Sequence, residues 1–386
     1  MKPSKPIVRD LGEFGLIERL RQRVSPGPSS VLVGIGDDVA VLRSTAGRLL
    51  LATCDTQVEG IHFLRHTVPP RCLGQRAAAV NLSDMAAMGG VPSWALVSLM
   101  LPDKTPVAWV DALYRGLTEG LERYGAALVG GNTARHPERI VVDVTLLGEV
   151  DEAKMVLRRG AHIGDFIVVT GSLGASKAGL ECLRVAPFMA QEAARTLNET
   201  EDATLDELEM ACGDAPSQGE AAQNLMAAVD RDTWMRAVHR YWVPEPRVQE
   251  GQVLAASGWV HAMIDVSDGF LGDLAHLCAA SDVGAVIHVD AVPVDWACQG
   301  VAQALGQDPL LWALTGGEDY EILAAVHPEG LDHVLQAVAQ QSAVTCHAVG
   351  RIVPRDQGIQ CVRQDGSALE AHWGKAWDHF RQEAAS

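Results

Sequence analysis

"HAMIDVSDGFLGDLAHLCAASD", residues 261–282, reads as an apolar strand, a glycine-containing turn and a helix. "DFIVVTGSLGASKAGLECL", residues 165–183, repeats that order. Around these two units, "GAVIHVD" (284–290), "YEILAAVH" (320–327) and "AVTCHAVGRI" (343–352) supply further strand-length runs. The second half of the chain therefore mixes strands with helices, which predicts an α/β or α+β class.

The first half reads the same way. "VLV" (31–33), "VAVL" (39–42), "RLLLATCD" (48–55), "SWALVSLMLP" (93–102), "AALVGG" (126–131) and "ERIVVDVTLLGEV" (138–150) are strand-like. Leu11, Phe14, Ile17 and Leu20 share one face of a helix at the start. An Ala-rich helix over 71–90 stops at paired glycines, and another over 106–125 has Pro106 near its start and Gly125 past its end. At 386 residues the chain exceeds one ordinary core, so two domains are expected, 1–155 and 156–386. Residues 190–235 are acidic, Ala-rich and poor in aromatics, and read as a partly helical surface insertion.

The net charge of −18, from 31 basic and 49 acidic residues, argues against nucleic acid or an anionic membrane as partner. A phosphorylated small substrate is compatible with it, because metal ions supply positive charge locally. No run of eighteen apolar residues occurs and the start lacks a signal-peptide core, so a cytoplasmic protein is expected. Eight scattered cysteines without a C-x-x-C pair read as reduced thiols. Gly171 and Gly174, between strand and helix, offer backbone N–H groups to an anion but equally make an ordinary tight turn.

Carboxylates carry the chemical signal. Asp37 and Asp38 sit between two apolar runs, and Asp55 ends a strand behind Thr53 and Cys54. Asp84 lies inside a helix otherwise suited to burial. Asp265, Ser267 and Asp268 close the strand of the opening stretch, and Glu318 and Asp319 follow paired glycines. Each alone is more often a cap or turn residue. Five such segments with few neighbouring cations point instead to a shared site for a hard cation, because buried carboxylates are costly unless paired. Oxygen donors without His/Cys spacing favour Mg²⁺ over zinc.

In order along the chain, "GIGDDVAVL", "CDTQVEGIHF", "NLSDMAAMGGVPSWALVSLMLP", "IDVSDGFLGDLAHLC", "GGEDYEIL" and "WDHF" resemble the thiamine-monophosphate kinases, from about residue 10 to 380. These belong to the aminoimidazole-ribonucleotide-synthetase-like superfamily. The resemblance implies a two-domain synthetase-like fold, with an N-terminal domain contributing to a dimeric β-barrel and a C-terminal α/β domain. It implies a homodimer that uses several Mg²⁺ ions and moves the ATP γ-phosphoryl group onto thiamine monophosphate in the interdomain cleft. By the family's pattern, Asp37, Thr53, Cys54, Asp55, Asp84, Asn132, Asp265 and Asp268 match metal-site positions. Gly131, Asn132, Arg158 and Ser267 match ATP contacts, and His62, Glu318 and Trp377 match substrate contacts.

Two positions depart from that pattern. Asn132 stands where the family carries Asp, which removes a negative charge from a metal position. Cys54 replaces a hydroxyl residue, leaving its backbone oxygen as the hard donor. Another kinase or synthetase of the superfamily, or a nucleotide-binding regulatory protein that has lost catalysis, are the alternative readings.

Overall fold

The strand-length runs assemble into two six-stranded sheets, one in each half of the chain. The computed structural model describes residues 31–33, 37–43, 47–190, 193–194 and 220–369. The helix expected around Leu11 to Leu20, the middle of the acidic segment and Trp377 lie outside the described residues.

The first half runs β1 (Val31–Val33), β2 (Ala40–Arg43), β3 (Arg48–Val58), α1 (Pro70–Ala87), β4 (Val91–Leu101), α2 (Val107–Glu122), β5 (Ala127–Arg135) and β6 (Val141–Asp151). Its sheet has the order β1-β2-β3-β6-β4-β5, antiparallel except for the parallel pair β4–β5. Side chains alternate between faces, so Leu49, Leu51 and Thr53 of β3 are buried while Cys54, on the other face, is exposed. α1 begins at Pro70, where the missing N–H costs nothing, and ends where Gly89 turns left-handed at φ +68°. It crosses α2 backbone to backbone. A Cβ at Gly116 would lie 1.8 Å from the Arg71 carbonyl oxygen, so only glycine permits this approach.

The second half runs β7 (Phe166–Thr170), α3 (Ala175–Val185), α4 (Glu220–Ala228), α5 (Arg231–Trp242), α6 (Val248–Ala256), β8 (Val260–Asp265) and α7 (Phe270–Ser281). It continues through β9 (Val283–His288), α8 (Trp296–Ala304), α9 (Pro309–Thr315), β10 (Ile322–Val326), α10 (Leu331–Gln341), β11 (Cys346–Pro354) and β12 (Ile359–Val362). The sheet order is β12-β9-β11-β7-β10-β8, parallel only between β12 and β9. Two largely antiparallel sheets with packed helices make the class α+β. One hydrophobic core cluster spans both halves, joining Leu73, Met85 and Val97 to Val168, Met263 and Ile322, and a second lies in the later half around Ile167, Phe270 and Leu323. α1 is the element between them, with α6 against it at Gly251, where a Cβ would meet the Ala86 carbonyl oxygen at 2.2 Å.

The acidic segment differs from expectation at its described end. Ala222 and Leu225 of α4 and Trp234 of α5 are buried, not surface residues. The charged residues of α5 find partners far away in sequence. Arg236 bonds Asp295 at 2.8 Å and Arg240 bonds the fully buried Glu321 at 3.0 Å. A polar composition that looks solvated is here satisfied inside the fold.

Candidate active site

A cleft of about 700 Å³ opens between the two halves, lined among others by Asp55, Asp84, Asp265, Asp268, His62 and Glu318. Strand ends and α1 deliver these side chains. β3 carries Thr53 and Asp55, α1 carries Asp84, β8 ends in Asp265, and Ser267 and Asp268 follow in the turn before α7.

At its floor, carboxylate oxygens of Asp38, Asp84 and Asp265 all lie within 4.8 Å of one another. Thr53 donates its hydroxyl to Asp84 at 2.5 Å, and Ser83 donates to Asp265 at 2.6 Å. Arg158 donates to Oδ1 of Asp38, whose other oxygen, Oδ2, is buried with no hydrogen-bond partner. Burial, then the Asp38 charge, pushes the Asp265 carboxyl up to about 7 against the opposing Ser83 bond. Desolvation, then Asp55 and Asp265, holds Asp84 well above the usual carboxylate range. Three carboxylates gathered with one guanidinium and an orphaned oxygen are a donor set that fits a hard divalent cation.

The site departs from the sequence expectation in several places. Asp38, not Asp37, enters the cluster; Asp37 instead accepts the Asp38 N–H at 2.9 Å. Cys54 turns to the sheet face opposite Thr53, and its thiol meets Asp143 at 3.3 Å. Asn132 is exposed on β5, in register with Ser98, then Asp143, then Thr56 across three strand spacings. That is roughly 14 Å from β3. Within one chain Asn132 is thus not brought to the carboxylates. Gly131 is required by its own neighbour, because a Cβ there would sit 2.0 Å from the Val97 carbonyl oxygen.

Two organising residues, Arg76 and Asp273, carried no signal in the sequence. Arg76, fully buried in α1, donates to the Tyr241 carbonyl at 2.5 Å and the Gln57 side chain at 3.3 Å, and pairs with Glu318. Its guanidinium lies 4.5 Å from the centre of the Tyr241 ring, which lines the cleft. Asp273 accepts the backbone N–H groups of Ser267 and Asp268 at 3.0 and 3.1 Å, fixing that turn. Asp319 accepts from Gly174 at 2.6 Å and Ser176 at 3.3 Å, so the anion at the glycine turn is the chain's own carboxylate. Glu318 and Tyr320 hold left-handed backbone at φ +66° and +51°, and their N–H groups bond Ser267 and Val266. That strain locks the glycine loop to the aspartate turn.

The two-domain, two-sheet frame is that of the AIR synthase related proteins. Their N-terminal domain matches residues 36–150 and their C-terminal domain residues 242–361. A thiamine-monophosphate kinase of Escherichia coli O157:H7 is 33% identical over 369 residues, covering 96% of this chain and 98% of the relative. One of Bacillus subtilis (strain 168) is 34% identical, covering 96% and 100%. A solved structure described as AaThiL complexed with AMPPCP and TMP superposes with a TM-score of 0.73 at 29% identity, over 97% of this chain and 99% of that one. The chain belongs to the thiamine-monophosphate kinase family.

Proposed function

We propose that the chain transfers the γ-phosphoryl group of ATP directly to thiamine monophosphate, giving thiamine diphosphate and ADP. The observation that carries this reading is the convergence of Asp38, Asp84 and Asp265, from both halves of the chain, on one cleft. The acceptor is an already ionised phosphate oxygen, so no general base is required. The barrier lies in bringing two anions together in line, a task of positioning and charge neutralisation. Thiamine's cationic ring favours a carboxylate and an aromatic face, which Glu318 and Tyr241 supply beside His62.

Mg²⁺ fits the floor, where Asp38, Asp84 and Asp265 would hold it, with Asp55, Asp268 and Thr53 beside them. When bound, it supplies the charge neutralisation that lets two phosphate groups approach. Arg158 and Ser267 are assigned to the nucleotide. The stereochemistry of transfer tests directness. With a chiral thiophosphoryl donor we expect net inversion at phosphorus. Retention would require a phosphorylated protein and would overturn direct transfer.

Proton competition gives a pH signature. A ligand carboxylate must be ionised, and Asp265 stands at about 7 without a cation. The Mg²⁺ concentration for half-maximal rate is therefore expected to be roughly tenfold higher at pH 6 than at pH 8. A requirement independent of pH would remove Asp265 from the metal site.

The homodimer and the cytoplasmic location belong to the same proposal. β5 is the last strand of its sheet and is exposed along nearly its whole length. Near it, Val129, Trp94, Leu96 and Val91 are 57%, 45%, 41% and 44% exposed, an apolar face that a second copy would cover. Trp94→Glu is expected to convert the dimer to monomer in light scattering; an unchanged mass would remove this face from the interface. Asn132 lies on that edge, so its proposed metal and nucleotide role is tested in the dimer. Asn132→Asp is expected to lower the half-maximal Mg²⁺ concentration several-fold, and an unchanged value would exclude it as a ligand.

A further inference from the structure

At the opposite end of β8 from Asp265, two imidazoles and a buried carboxylate converge. The His162 and His261 Nδ1 atoms lie 3.1 Å apart, and His261 Nδ1 lies 2.8 Å from Asp165 Oδ2. All three donor atoms fall within 4.8 Å of one another. His162 and Asp165 precede β7 and His261 is the second residue of β8, so both belong to elements that flank β10.

The fold aims these groups at one another. Ala325 pairs with Ala262 and Val326 with Val260, which leaves His261 as the extra residue of a bulge. Bulges re-aim side chains and are enriched beside functional sites. Asp165 is only 2% exposed, and the His162 backbone N–H holds its Oδ2 at 2.8 Å. A buried carboxylate is costly without a cationic partner. Its ionic contact is His261, a group charged only when protonated.

We propose that His162, His261 and Asp165 form a binding site for one divalent transition-metal ion of the zinc class, separate from the carboxylate floor of the cleft. Ligands 2.0–2.1 Å from a tetrahedral ion stand about 3.3 Å from each other, close to the spacing already present. Two facing Nδ1 atoms at 3.1 Å share at most one proton between them, and the ion takes its place. Imidazole donors select this class of metal over Mg²⁺. His327 packs edge-on against His261 at 5.5 Å between ring centres. Its Nδ1 accepts the Glu329 N–H, which leaves the proton on Nε2, so it supports the ring and does not ligate. The exposed side of His162 leaves the fourth position to water. His261 and Asp265 are four residues apart on one strand, roughly 13 Å, so the two sites bind independently. The ion would tie the segment entering β7 to β8.

The test uses the full chain, stripped with chelator and returned to excess Mg²⁺ so that the carboxylate site is competed. Calorimetry with Zn²⁺ is expected to show one ion per chain. His162→Ala and His261→Ala should each weaken it by at least about tenfold. Cu²⁺ in place of Zn²⁺ should show imidazole nitrogen coupling in pulsed electron paramagnetic resonance, lost in both variants. His162 is exposed, so His162→Ala remains informative if the other variant fails to fold. Zn²⁺ uptake of unchanged affinity in folded His162→Ala, or no uptake in excess Mg²⁺, would overturn the site.

Discussion

Asp84→Asn is expected to lower turnover by at least about a hundredfold while raising the melting temperature of the metal-free protein. Both effects have one cause. Asp84, Asp38 and Asp265 sit together so that a cation can hold them, and without one they repel. The amide introduced by Asp84→Asn keeps an oxygen for the Thr53 hydroxyl, now 2.5 Å from Asp84, so the local packing survives. The sign with pH follows from linkage. Asp265 titrates near 7 in the folded state and at the ordinary carboxylate value when unfolded, so the native state binds its proton more tightly. Metal-free stability therefore falls as pH rises from about 4 to about 7, and the repulsion is fully present at pH 8. There the variant should melt higher, by roughly 1 °C for each kcal/mol relieved in a chain of 386 residues. Differential scanning fluorimetry with and without Mg²⁺ checks this. A variant that melts lower without metal, or retains near-normal turnover, would separate Asp84 from the cation site.

Arg76→Met is expected to give the largest loss of stability of any single change in the cleft wall. Arg76 is fully buried and serves Glu318, the Gln57 side chain and the Tyr241 carbonyl together. Methionine keeps the apolar stem but strands three acceptors. Breaking one side of a buried pair costs about 3–5 kcal/mol, which is roughly 4–6 °C in a chain of this size. Glu318 also loses its anchor, so the Michaelis constant for thiamine monophosphate should rise more than turnover falls. Arg76→Lys should recover only part of both, because an ammonium cannot serve several planar acceptors at once. A melting temperature within about 1 °C of the parent protein, of the order of 1 kcal/mol, would show that the network is not a structural anchor.

The strands were legible as short apolar runs, though some extend beyond them: β5 passes through its paired glycines to Arg135. β3 stops just past Asp55 and β8 at Asp265. The choice between Asp37 and Asp38 was not legible. Adjacent residues differ only in which way a tight turn faces them, and that phase is set by Arg158, 120 positions away. The burial of α5 was not legible for a related reason: Arg236 and Arg240 find Asp295 and Glu321 only when other elements bring them near. Arg76 hid inside a helix whose other residues suit burial. Asn132 reads as a ligand from its motif, yet sheet order sets it three strands from β3. Sequence identifies donors well where they end apolar runs. Which donors share a site depends on topology that local patterns do not carry.

The proposal that phosphate passes directly between two substrates across an acidic interdomain floor is tested most directly by following the label from [γ-³²P]ATP. We predict that it appears in thiamine diphosphate in one-to-one stoichiometry with ADP, with none retained on the protein. Label trapped on the chain, or released as free phosphate without thiamine diphosphate, would contradict it.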